Sequence, residues 1–208
     1  MLRLSVSDLE SLRYFKASED RTLDDLLSDL AHVSTATPKM QAGHAMAAFF
    51  ESAREGEMES AAVEGWHIDF ELDAAIALPS VREMKVEEVI QTPSGAVTLV
   101  GKVDGLDGIT VRDQKLSDSL DAESRYVDSL QWRAYLMMFG ARRFIYDVFV
   151  GRVDEAKRVI TVREYHPLTF YAYPEMRADV ERAVGELAEV VTTNQSKIAA
   201  IRAAAGKA

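Results

Sequence analysis

The chain has 208 residues, 48% of them hydrophobic and 28% charged, which is enough for one well-buried core. It has no cysteine, which excludes a disulfide framework, a thiolate metal site and a thiol nucleophile. The net charge of −10 weighs against an extended polyanion-binding surface, but it is unevenly spread: residues 131–208 carry 12 Lys and Arg against 9 Asp and Glu, and residues 1–130 carry 12 against 25.

The N-terminal MLRLSVSDLESL has no apolar signal core, and no run approaches the ~18 apolar residues of a membrane span, so a cytoplasmic protein is expected. LSVSDLESLRYF reads as a helix start, with Ser5 or Ser7 as cap and Asp8 and Glu10 in the first turn. RTLDDLLSDLAHV is a second short helix. A longer one follows from Thr37, with Pro38 at its first position and Gly56 as terminator. Met40, His44, Ala47 or Ala48, and Glu51 recur there at three- and four-residue steps and share a face.

The period then changes. WHIDFELDAAIAL, REMKVEEVIQ, AVTLVGKVDG and ITVRDQKL alternate or run apolar between turn signals at Pro79–Ser80 and Pro93–Ser94–Gly95, and read as strands. ESRYVDSLQWRAYLMMFG returns to helical spacing and ends at Gly140. RRFIYDVFVGRV and KRVITVREY form a strand pair, and a long amphipathic helix is expected over about 174–203. The order predicts one α/β domain over residues 1–208: N-terminal helices within 5–56, then a central mixed sheet with its helix over 66–165.

Within this order GKVDGLDGITVRDQK stands out. It reads as a hairpin through Gly105–Gly108, with Asp104 near the end of one arm and Asp113 and Lys115 on one face of the other. The residues alone leave two readings open: a turn with polar ends, or three charges gathered for chemistry. Two nearby carboxylates repel unless a cation lies between them, and oxygen ligands suit Mg²⁺ or Mn²⁺. A lysine beside them can hold an attacking water or stabilise charge on a phosphate.

This constellation resembles the PD-(D/E)XK nuclease superfamily, in its RecB-type and phage-type recombination exonuclease branch. The residues that carry the resemblance are Asp104, then Asp113-Gln114-Lys115, then Gln131 and Tyr135 in the Gln-x-x-x-Tyr pattern of SLQWRAY, with Tyr126 and Ser129 just upstream in a Tyr-x-x-Ser-x-Gln pattern. GHAMAAFFE is similar to the family's G-x-A-M-H-x-x-x-E, with Gly43, Ala45, Met46 and Glu51 in place but Ala47 where the histidine stands. His44 lies three residues earlier on a similar face.

The resemblance implies an α-β-β-β-α-β restriction-endonuclease-like core and a metal-dependent DNA exonuclease. Asp104, Asp113, the Gln114 carbonyl and Glu51 would hold Mg²⁺ or Mn²⁺, Lys115 would orient water, and Gln131 and Tyr135 would support the site. It implies DNA as substrate, and leaves open a recombination or single-strand-annealing protein as partner and assembly as a homo-oligomer. A nuclease fold kept as a nucleic-acid or protein-binding module is the alternative.

Overall fold

The computed structural model describes residues 1–54, 58, 60–72, 74, 76–120 and 124–206. The chain opens with a short strand, β1 (Leu2–Ser5), which the helical reading of this segment did not foresee. β1 leads into α1 (Val6–Ala17), where Ser5 accepts from the Asp8 N–H and Asp8 accepts from the Ser5 N–H, a capping box. Thr22 and Asp25 repeat the device at α2 (Leu23–Leu30). Thr37 caps α3 (Pro38–Ser52), with Pro38 in its first turn. That helix ends at Ser52; Gly56, expected to stop it, lies outside the described residues.

β2 (Ala61–Val63) and β3 (Trp66–Phe70) form a small hairpin, and β4 (Val81–Thr92), β5 (Gly95–Asp107) and β6 (Thr110–Ser117) form a meander. After α4 (Ser124–Val127) and α5 (Leu130–Phe139) come the antiparallel β7 (Arg143–Asp154) and β8 (Val159–Tyr171). β8 runs beyond Tyr165, where the strand was expected to stop, and passes through Pro167. A proline is tolerated there because β3 pairs with β8 only as far as Val162, so among the described residues no further strand pairs on the other flank of Pro167. The tail is two helices, α6 (Met176–Thr193) and α7 (Gln195–Ala204), rather than one. Asn194 makes the break: its side-chain amide donates to the Val190 carbonyl at 2.8 Å and closes α6.

The strands form one mixed sheet in the order β1-β5-β6-β7-β8-β3-β2, with β4 also paired to β5. β6 and β7 are parallel, and α4 and α5 supply the crossover that a parallel pair requires. Alternating side chains give the sheet two apolar faces. Val111, Phe144, Tyr146 and Val148 pack with α1, α5 and α6, and Phe149, Ile160 and Trp66 pack with α3. Among the described residues no helix is long and apolar enough to cross a membrane.

Arg112 and Asp147 lie on neighbouring strands and form a bidentate pair, Nε to Oδ2 at 2.8 Å and Nη2 to Oδ1 at 2.6 Å, with the Tyr165 hydroxyl donating to Asp147 Oδ1. Both charged residues are buried.

Gly101 has a different role. A Cβ there would lie 2.6 Å from the Tyr135 ring and 3.3 Å from Val6. Because Tyr135 is buried, its ring has nowhere to retreat without moving α5. Gly101→Ala is therefore expected to destabilise the protein by about 1–3 kcal/mol. Chemical denaturation checks this, and an unchanged midpoint would show that the ring relocates freely.

Candidate active site

β5 and β6 pair only briefly. The ladder runs Asp107–Thr110, Leu106–Val111 and Gly105–Arg112, and then the strands part because β1 takes that edge of β5 at Val97–Val100. The turn is therefore tighter than a Gly105–Gly108 loop. Gly105 is a ladder residue against which Pro79 packs, and Gly108 with φ +57° makes the turn. Asp104 is the first residue of β5 beyond the ladder, and its Oδ2 accepts from the Gln114 N–H at 2.8 Å across the gap.

The parting strands open a cavity of about 540 Å³ between α3 and α5. Asp104, Asp113, Gln114, Lys115, Gln131 and Tyr135 all line it, and so does His44. Glu51 does not: it sits exposed in the last turn of α3, and its backbone carbonyl accepts from Arg82 at 3.0 Å. Seven of the eight residues singled out in the sequence thus meet at one place.

Asp113 is buried. Its Oδ1 accepts from Gln131 Nε2 at 2.9 Å, while the Lys115 ammonium stands 2.5 Å from its Oδ2. Oδ2 is a buried oxygen with no well-directed hydrogen bond. Burial pushes the Asp113 carboxyl up to about 7, against the pull of Lys115 and with a further push from Asp104. Burial also raises Asp104, and outweighs Lys115 and the Gln114 N–H. Burial alone would lower Lys115, but the carboxylates of Asp113, Asp104 and Glu10 prevail and raise it. The Tyr135 hydroxyl donates to the Lys102 carbonyl at 2.7 Å, which ties α5 to β5 close to the fork.

An acid raised above its unfolded value of 3.8 binds a proton on folding, so its ionisation weakens the fold as pH rises from about 4 to about 7. Asp113→Asn is accordingly expected to melt higher than wild type at pH 8, with the gain shrinking toward pH 4. Melting curves at the two pH values check this; an equal gain at both would assign the effect to packing.

Among the described residues no three His, Cys, Asp or Glu side chains form a metal cage. The two carboxylates and the Gln114 carbonyl nevertheless fit a hard cation that keeps several waters. Two buried carboxyls, both raised above their ordinary values and facing one cavity, suit such an ion.

Around this cluster stand Ser129, which belongs to the Tyr-x-x-Ser-x-Gln pattern, and Tyr146 and Glu10, which no motif in the sequence singled out. Ser129 and Tyr146 share a hydrogen bond of 2.8 Å, and Ser129 Oγ donates to Glu10 at 2.9 Å. Tyr146 lies inside the apolar run RFIYDVFV, where only its hydroxyl, which must find a partner when buried, hinted at more than core packing. Glu10 read as an ordinary first-turn acid. A second, smaller cavity of about 220 Å³ shares Lys115, Leu116 and Gln131 with the first and is walled by Arg13, Tyr14 and Arg125.

No family model and no curated protein matches the chain. Among solved structures it is similar to the crystal structure of SSO0001, with a TM-score of 0.53 and 16% identity over 90% of this chain and 75% of that one. It is also similar to LHK-Exo in complex with dAMP, with a TM-score of 0.47 and 15% identity over 98% of this chain and 93% of that one. For the alkaline exonuclease LHK-Exo from Laribacter hongkongensis the values are 0.44 and 12%, over 99% and 94%. The likeness to SSO0001 bears on fold alone and agrees with the mixed α/β architecture.

Proposed function

We propose that this chain is a divalent-metal-dependent DNA nuclease, an exonuclease of the phage or mobile-element recombination type. The observation that carries this reading is the convergence of Asp104, Asp113 and Lys115 where β5 and β6 part, with the Lys115 ammonium against the buried Asp113 carboxylate. Asp104, Asp113 and the Gln114 carbonyl would hold Mg²⁺ or Mn²⁺, which when bound supplies an acidified water and neutralises charge on the scissile phosphate.

The chain's own groups do the rest. Lys115 is held as a cation by its acidic neighbours, which favours charge stabilisation and water orientation over proton abstraction. Gln131 fixes the rotation of Asp113 by donating to one of its oxygens. Tyr135 keeps α5 and β5 in register beside the acids. On the far wall Met40 and His44 of α3 face the cavity and are available to the nucleic acid, while Lys39 is ion-paired with Asp118. Glu51 takes no part in this reading.

A second reading, a nuclease-fold binding module without turnover, is favoured by one observation. Ala47 lines the cavity at the position where the family pattern places a histidine.

The test is incubation of end-labelled linear DNA, duplex and single-stranded, with Mg²⁺ or Mn²⁺. Metal-dependent release of short labelled products, with closed circular duplex left intact, is the expected result. Inertness with every divalent metal on both substrates would overturn the nuclease reading and leave the binding module.

A further inference from the structure

We infer that Glu10 of α1 is a positioning residue of the cleft: it holds the start of α5 so that the Gln131 amide meets Asp113. The inference rests on the cleft being the working site. Glu10 Oε1 accepts from the Ser129 hydroxyl at 2.9 Å and from the Gln131 N–H at 2.9 Å, and Oε2 accepts from Arg13 Nε at 2.9 Å. One carboxylate thus joins α1 to the first turn of a helix more than a hundred residues away.

Capping does not explain this arrangement. The Gln131 N–H already has the N-cap oxygen of Ser129 at 3.1 Å, so the end of α5 is satisfied without help from α1. What Glu10 adds is direction. A carboxylate only accepts, so the single Ser129 proton is committed to Glu10. The Tyr146 hydroxyl, 2.8 Å from Ser129 Oγ and 3.4 Å from Gln131 Oε1, is left to donate to one or the other. The oxygen end of the Gln131 amide then faces the tyrosine, and its NH₂ end faces Asp113 Oδ1 at 2.9 Å. Without Glu10 the Ser129 proton can turn to Tyr146, the first turn of α5 loses its tether, and Gln131 is free to rotate away from the acid.

The test compares wild type with Glu10→Gln, which keeps an acceptor oxygen at the same reach, and Glu10→Ala, which has none. The first readout is the side-chain amide NMR signal of Gln131, identified by its disappearance in Gln131→Glu. It is expected away from the free-amide position in wild type and Glu10→Gln, and close to that position in Glu10→Ala. The second readout is DNA turnover: kcat falls roughly 10- to 100-fold in Glu10→Ala with KM unchanged, and Glu10→Gln recovers most of it.

A Gln131 signal that stays put in Glu10→Ala overturns the inference, whatever happens to the melting temperature, because Glu10 would then only fasten α1. Equal impairment of Glu10→Gln and Glu10→Ala overturns it as well. If the signal moves as expected in a protein that never degrades DNA, the nuclease reading falls and the positioning role stands.

Discussion

Lys115→Ala and Asp113→Ala are each expected to lower metal-dependent DNA degradation by at least about 10²–10³-fold, the scale on which one pre-placed charge or donor acts in a transition state. The two variants fail for different reasons. Asp113→Ala removes half of the carboxylate pair and the acceptor of the Gln131 amide, so metal affinity falls together with rate. Lys115→Ala leaves both acids in place but strips away the cation 2.5 Å from Asp113. The acid then rises further, and a divalent ion must displace its proton at a higher pH. Metal binding measured by calorimetry separates the cases: Asp113→Ala loses it, and Lys115→Ala retains it with a steeper dependence on pH. Circular dichroism establishes that both stay folded. Wild-type rates in either variant would remove the residue from the mechanism.

Asp147→Ala is expected to be the most destabilising single change near the site, at about 3–5 kcal/mol, because it leaves the Arg112 guanidinium buried without its bidentate partner. For a chain of this length that lowers the melting temperature by on the order of 10 °C. Tyr165→Phe removes only one donor from the same group and is expected to cost about 1 kcal/mol. Replacing Arg112 and Asp147 together with Met and Leu should recover much of the loss, since no orphan charge then remains. Thermal melts of the three variants check the order, and an Asp147→Ala variant as stable as Tyr165→Phe would show that water reaches the guanidinium. The pair lies on the α3 side of β6, whereas Asp113 points to the α5 side. Activity surviving in Asp147→Ala below its melting temperature would separate scaffold from site.

The legibility of the chain varied with the range of the interactions involved. Ser5 and Thr37 announced their helices because a cap is a contact over three residues. The alternation of β4 to β6, and the shared face of Asp113 and Lys115, follow from the two-residue period of a strand. β1 was hidden because four residues are too few for a period, and it exists only by pairing with β5. Pro167 disguised the length of β8, since whether a proline ends a strand depends on whether its other side needs a partner. Glu51 kept the helical spacing of a site residue, yet it stands a turn beyond the cavity, because spacing defines a face and not how far along the helix the cleft extends.

By itself the amino-acid order determined the residue types, their order along strand, strand and helix, and the pairing of Asp113 with Lys115, all of which depend on near neighbours. Only the tertiary structure decided that β5 and β6 part at Asp104, that Glu10 reaches the start of α5, and that Arg112 finds Asp147. The fork needs β1 to occupy one edge of β5, and the other two contacts need elements remote in sequence to pack together. Those are long-range consequences of burying two apolar faces of one sheet, and no local pattern encodes them.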